Sequence, residues 1–297
     1  MQIQTWRQPL PHGITLSCRA TGERGRPVLL FLHGFPEAAF VWDDLLVHFA
    51  RPENGGYRCV APNLRGYEQS SQPAEIAAYR PKHLVQDIAA LARIEGAPLA
   101  ALVAHDWGGA LAWNLANQAP ELTQRLVILN APHPGAFLRA LQASPAQQEA
   151  SAYMNFLIRP DAETLLRADG YRRLLDFFTH WGTAPWLTEA LKAKYRAVWD
   201  ASLTGGLNYY RASPLRPPRD GDAAAAQVTL PREMLTVDPP TLVLWGMQDP
   251  ALLPELVEGL DAYVPRLTLH KVADASHWIV HEQPQLVAQR LAEFLAQ

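Results

Sequence analysis

Six short runs of almost unbroken apolar residues recur along the chain, at 28–32, 58–61, 100–104, 126–129, 241–245 and 267–272. Each is too short to span a bilayer, which takes about 20 residues. Taken together they are nearly continuous rather than alternating. Continuous runs of this length predict parallel strands buried on both faces. Turn residues stop them, His33-Gly34 after the first and Pro62 after the second. Helical spacing fills the intervals: Leu84, Ile88 and Leu91 recur on one face, 110–119 follows Gly108-Gly109 and stops before Pro120, and 284–295 starts with Pro284, where a missing N–H is harmless. Residues 3–18, turning at Pro11-His12-Gly13, predict an antiparallel edge hairpin. Strands alternating with helices specify a mostly parallel, doubly wound α/β sheet.

The rhythm breaks from about Pro134 to Leu235. That stretch offers helical pieces at 162–168, 171–179 and 188–201, a short alanine run at 223–226, and many aromatics, among them Tyr153, Phe177, Trp181, Trp199, Tyr209 and Tyr210. An insertion of this size between core strands predicts a helical cap (135–235) over a core built from 1–134 and 236–297. Most of its aromatics are expected to form the cap's own core.

With 48% hydrophobic and 19% charged residues the chain can build a large core. A net charge of -3 argues against a nucleic-acid partner. No apolar run is long enough for a membrane span, and the start, Met1-Gln2-Ile3-Gln4, lacks a signal-peptide pattern. A cytoplasmic protein, monomer or homodimer, is expected. Cys18 and Cys59 make no disulfide framework, and no His/Cys spacing suggests a metal. No phosphate loop or dinucleotide fingerprint suggests a cofactor.

The run at 100–104 leads into Ala104-His105-Asp106-Trp107-Gly108 and then directly into a helix. Small residues on both sides of a central nucleophile are what a sharp strand-to-helix elbow requires. The elbow lifts Asp106 above the sheet and sets it at a helix N-terminus, where an anion is favoured. An Asp opening a helix is also an ordinary N-cap; the partners below tip the balance. A carboxylate attacks saturated carbon rather than acyl carbon, forming an ester that water must then hydrolyse. His277 follows the last strand, where the base of such a site falls in chain order. Asp249, after the run at 241–245, is the acid expected to orient it, with Asp274 as the rival. At Asn130, the other strand end where such an acid could stand, there is none. The turn His33-Gly34-Phe35-Pro36 would aim the Phe35 N–H at the site, and with the Trp107 N–H it would hold an oxyanion; losing one such donor typically costs about 2.7–4 kcal/mol. His33, Pro36 and Trp107 are expected to contact substrate.

Five segments carry a resemblance. They are His33-Gly34-Phe35-Pro36-Glu37, Leu64-Arg65-Gly66-Tyr67, His105-Asp106-Trp107-Gly108-Gly109, Asn130-Ala131-Pro132-His133-Pro134 and Ala275-Ser276-His277-Trp278. In this order, over essentially the whole chain, they resemble the motifs of the epoxide hydrolases of α/β-hydrolase fold. The resemblance implies that Asp106 opens a small apolar epoxide while two cap tyrosines donate to its oxygen. The positions similar to those tyrosines are Tyr153 and Tyr210, with Tyr209 as the adjacent rival. Two residues depart from the family pattern: Asn63, where Asp is usual, is expected to keep a turn hydrogen bond, and Glu68, where Gly is common, implies a turn without positive φ. Haloalkane and haloacid dehalogenases share the Asp-His-Asp set. The haloacetate enzymes clamp a carboxylate with Arg residues, and Trp107 and Ala110 stand in those places here. A ligand-binding protein on the same fold is the non-enzymatic alternative, and it would form no Asp106 ester.

Overall fold

The computed structural model describes residues 2–180 and 184–297; Trp181 lies outside them. Eight strands form one sheet: β1 (Gln4–Pro9), β2 (Thr15–Thr21), β3 (Val28–Leu32), β4 (Arg58–Pro62), β5 (Ala101–His105), β6 (Leu126–Leu129), β7 (Thr241–Gly246) and β8 (Leu267–Val272). Their spatial order is β1-β2-β4-β3-β5-β6-β7-β8. The first two are antiparallel to their neighbours, and β4 through β8 run parallel. Every residue of β3, β4, β5, β6 and β7 is buried. β8 departs from the sequence expectation. It lies at the sheet edge with β7 as its one partner, and all but its last residue stay half-buried or exposed.

Helices cover both faces. Leu29 and Phe31 of β3 point to one layer, with α1 (Asp43–Ala50) and α10 (Pro284–Leu295) packed on it through Leu46, Phe49, Leu291 and Phe294. Leu30 and Leu32 point to the other, under α2 (Pro81–Glu95) and α3 (Asp106–Gln118), through Leu84, Ile88, Leu111 and Leu115. Burying each such side chain contributes about 1.5–3 kcal/mol, so two-sided coverage is what the unbroken apolar runs demand. α2 stops at Gly96, which takes φ 104°.

Between β6 and β7 the chain leaves the sheet and forms α4 (Pro134–Ala143), α5 (Pro145–Ala150), α6 (Tyr153–Leu157), α7 (Ala162–His180) and α8 (Glu189–Ala212). α7 is broken where Asp169, Gly170 and Tyr171 take positive φ, which separates the two pieces expected from the sequence. α8 runs past the expected end at 201 and bends at Ser202. The alanine run becomes a single 3-10 turn, Ala224–Gln227. A short helix α9 (Ile279–Glu282) follows the loop after β8. No helix of the described residues is long and apolar enough to cross a membrane.

These helices are pinned to the loops that follow the strands. Tyr209 Oη donates to the Arg65 carbonyl at 2.8 Å, and Trp199 Nε1 donates to the Pro36 carbonyl at 2.7 Å. Arg65 is itself buried and paired through both arms with Asp87 of α2, at 2.6 and 2.8 Å. His12, at the tip of the edge hairpin, reaches the same carboxylate at 2.6 Å. Asp87→Ala would strand the guanidinium without its carboxylate, and loss of one partner of a buried pair costs about 3–5 kcal/mol. Urea unfolding should show a loss of that size. A loss below about 1 kcal/mol would mean the pair behaves as if solvated.

Candidate active site

β5 ends at His105 and α3 begins at Asp106 with no residue between. Asp106 takes φ 51°, the left-handed region that a non-glycine residue occupies only when its surroundings hold it there. Its Oδ1 accepts the Phe35 N–H at 2.7 Å. The loop after β3 approaches so closely that a Cβ on Gly34 would sit 2.1 Å from Oδ1, so only glycine fits. The second carboxylate oxygen, Oδ2, lies 3.7 Å from His277 Nε2. The peptide bond between Phe35 and Pro36 is cis.

His277 sits in the loop between β8 and α9, and its Nδ1 lies 2.7 Å from Asp249 Oδ2. Asp249, beyond β7, is fully tied down. Its Oδ1 accepts the N–H groups of Ala251 and Leu252, both at 2.9 Å, and its Oδ2 accepts Asn130 Nδ2 at 2.8 Å. Asn130 is also held by the Gly246 N–H, at 2.8 Å. The strand end that lacked an acid therefore supplies a clamp for the acid from the neighbouring strand. Asp274 points elsewhere: it is exposed and accepts Gln283 Nε2 at 3.0 Å.

Burial pushes the His277 imidazole down, but Asp249 against Nδ1, with Asp106 and Glu37 further off, outweighs it and lifts the pKa to about 9. Beneath the ring lies a buried cluster that the sequence reading passed over. His105 Nε2 lies 2.8 Å from the His277 carbonyl, and its Nδ1 is 3.3 Å from Glu37 Oε2. Glu37 Oε1 accepts Tyr195 Oη at 2.8 Å and meets His281 Nε2 at 2.6 Å. Burial works to raise Glu37, yet His281 and His105 hold it well below the usual carboxylate range. A buried negative charge thus stands behind the histidine. Its one sequence signal was an acid directly after the Phe35-Pro36 turn.

One narrow cavity is lined by Asp106, His277, Tyr153, Tyr210, Phe35 and Pro36, and closed by Phe177, Ala251 and Trp278. Tyr153 opens α6, and Tyr210 lies near the end of α8. Their rings meet edge-on, with centroids 6.2 Å apart. Trp107 meets the Tyr210 ring edge-on at 5.1 Å, so its indole backs the tyrosine. Burial and nearby Asp106 and Asp249 raise Tyr153; burial, Tyr153 and Asp106 raise Tyr210. Both phenols therefore keep their protons. Tyr209 faces the other way, its hydroxyl spent on the Arg65 carbonyl.

Three expectations need correction. Trp107 is not among the residues that line the cavity, because its indole packs behind the Tyr210 ring. His33 does not reach the cavity: it is wholly buried, its Nδ1 bonds the Gly34 carbonyl at 3.0 Å, and its Nε2 accepts the Leu64 N–H at 3.1 Å. Burial pushes it down to about 4, so it is a neutral brace for the two loops rather than a substrate contact. Glu68 takes φ 49°, contrary to the turn expected of it. Its N–H is held by Ser202 Oγ at 2.9 Å, and its carboxylate takes hydrogen bonds from Asn63 Nδ2 and from Ser17 Oγ. Asn63 also accepts the Ala39 N–H at 2.8 Å, the turn bond expected. The two departures from the family pattern thus touch. An Asp at 63 would face Glu68 carboxylate to carboxylate, whereas Asn63 donates.

A parallel sheet with an acidic elbow at the end of a central strand, and a histidine and its acid on later strand ends, define an α/β hydrolase. The sequence profile of the alpha/beta hydrolase fold family matches residues 27–284. The chain belongs to the epoxide hydrolase family of α/β-hydrolase fold. It is 33% identical to mouse Epoxide hydrolase 4 over 95% of this chain and 77% of that one. It is 34% identical to the AB hydrolase superfamily protein YfhM of Bacillus subtilis, over 96% of this chain and 95% of the relative. Among solved structures, an epoxide hydrolase from metagenomes of hot environments matches at TM-score 0.88 and 37% identity, covering 99% of both chains. The epoxide hydrolase of Bacillus megaterium, solved with an inhibitor, matches at 0.86 and 30%, over 98% of this chain and all of the other.

Asp106→Asn removes a negative charge that supports the imidazolium. The His277 pKa should then fall below about 9 in an NMR titration. An unchanged value would show that Asp106 does not act on the ring.

Proposed function

We propose that the protein hydrolyses small apolar epoxides to vicinal diols through an ester on Asp106, with residues 135–235 acting as a cap that carries the proton donors. The observation that supports this is a single cavity in which two protonated phenols, Tyr153 and Tyr210, share the walls with the Asp106 carboxylate and His277.

The geometry supports one division of roles between the atoms. Asp106 Oδ1 is occupied by the Phe35 N–H, so Oδ2 is the oxygen that attacks. It forms a bond to an epoxide carbon while the carbon–oxygen bond of the ring breaks. The departing alkoxide is a poor leaving group and takes a proton from a tyrosine. Oδ1 becomes the ester carbonyl, already seated on its donor.

His277 must then be neutral to accept a proton. In the resting site Asp106 helps to hold it charged. Esterification removes that charge, so the imidazole becomes a better base when one is needed, and sheds its proton to solvent. Water gives a proton to Nε2 and adds to the Asp106 carbonyl carbon. The oxyanion forms at Oδ1, against the Phe35 N–H and, on this reading, the Trp107 N–H. Collapse breaks the bond between the Asp106 carboxyl carbon and Oδ2, so that oxygen leaves with the diol; His277 returns the proton to it, and the water oxygen stays in the carboxyl group. The remaining carboxyl proton restores the tyrosine, and His277 regains from solvent the proton it shed, now that Asp106 is charged again. Asp249 holds the ring in place throughout.

Asp106→Ala should abolish diol formation. His277→Gln should still form the ester, so intact mass should show the protein plus one epoxide after mixing. Unmodified protein that still releases diol would overturn the mechanism. Tyr153→Phe and Tyr210→Phe should each slow ester formation by about 10²–10⁴-fold, read from single-turnover mass spectra, with little effect on release of halide from a bromoalkane. Halide without diol from the unaltered protein would move it to the dehalogenases. No adduct with any substrate would favour a ligand-binding role.

A further inference from the structure

The cavity around Asp106 has a neighbour on one side. A second, thinner space shares Phe35 and Pro36 with it and is closed by Tyr67, Val198, Ser202 and Leu203. That space in turn shares Val198 with a recess of about 360 Å³ at the surface, rimmed by Phe40, Glu68, Lys194 and Ala201. The recesses along α1 and α10 and beside Arg219 share no residue with the site. A line of spaces therefore leads from the surface to the carboxylate along the seam between α8 and the loops after β3 and β4. Its middle section has no room for a water molecule.

The helix that forms one wall is built in two halves. At Ser202 the backbone leaves helical geometry, with φ -151° and ψ 19°. Ser202 Oγ donates back to the Val198 carbonyl at 2.7 Å, a bond that bends helices. The half after the bend lies on the core backbone itself and is tied to it by Tyr209 Oη on the Arg65 carbonyl. A Cβ on Gly205 would come 2.1 Å from the Gly66 carbonyl oxygen. That half carries Tyr210. The half before the bend carries Val198 and Lys194 and is held to the β3 loop chiefly through side chains, Trp199 to the Pro36 carbonyl and Tyr195 to Glu37. Glu68, locked to Asn63 and bonded through its N–H to Ser202, forms the opposite lip.

We infer that substrate reaches Asp106 through this seam, that it opens by movement of residues 189–201 about Ser202, and that Val198 sets the girth of what passes. The inference deepens the epoxide reading and rests on Asp106 as the reacting group. It makes the enzyme selective by width near the reacting carbon, in favour of slender epoxides over branched ones. The division of α8 keeps Tyr210 in place while the seam opens.

The test measures access without any epoxide, so it stands apart from the activity itself. In an Asp106→Cys background the new thiol lies at the cavity floor, while Cys18 and Cys59 are buried. Its labelling by methyl methanethiolsulfonate and by N-phenylmaleimide is followed by intact mass. Val198→Phe should slow the bulky reagent by about tenfold or more and the small one by less than about threefold. Val198→Ala should speed the bulky reagent. Circular dichroism melts establish that both variants are folded, and the opposite signs guard against a general loss of structure. Equal rates for the bulky reagent in all three backgrounds would overturn the inference. So would equal slowing of both reagents, or failure of the bulky reagent to react even with Val198→Ala.

Discussion

The site depends on one close approach, that of the β3 loop backbone to the carboxylate of Asp106. With no side chain on Gly34, the Phe35 N–H comes within 2.7 Å of Oδ1. That contact holds a non-glycine residue at positive φ, leaves one carboxylate oxygen free, and places an N–H donor where the ester carbonyl would lie. The elbow must sit where β5 and β3 are parallel neighbours, because only there do the ends of both strands open at the same edge. The all-buried central strands are thus the condition for the chemistry as well as for the core.

Charge is arranged around His277 with the same economy. Asp249 lies in contact with the ring, Glu37 lies behind it through His105, and Asp106 lies ahead at 3.7 Å. Three acids raise one buried imidazole, and only the one ahead can change its charge during the proposed reaction. The two behind are fixed by hydrogen bonds from Asn130, Ala251, Leu252 and Tyr195. A base that is held charged at rest and released by ester formation needs this division between permanent and transient charge.

α8 shows why local signals misjudged the helices over the sheet. Gly205-Gly206, just past the expected end at 201, are poor helix residues, at about 1 kcal/mol each relative to Ala. The helix continues because its backbone must touch that of Gly66, which no larger residue would permit. β8 differs in the opposite direction: it is expected to be buried like the central strands, but its place at the edge leaves one side open, and Thr268, His270 and Lys271 suit that exposure. At Glu68, φ was judged from residue type alone, while its bonds to Ser202 and Asn63 decide it.

The sheet, the antiparallel hairpin at its edge, the elbow at Asp106 and the positions of His277 and Asp249 after their strands were all legible in the sequence. They rest on periodicity and turn chemistry, which act over a few residues. What the fold alone decided is which way side chains face. Tyr210 rather than Tyr209 meets the cavity because the phase of α8 is set by contacts with Gly66 and Arg65, more than 130 residues away. Asp249 rather than Asp274 meets His277 because Asn130, from a third strand, turns it there. His33 braces two loops instead of lining the pocket because Leu64 donates to it. Such choices depend on which distant groups come into contact, and residue spacing along the chain does not encode them.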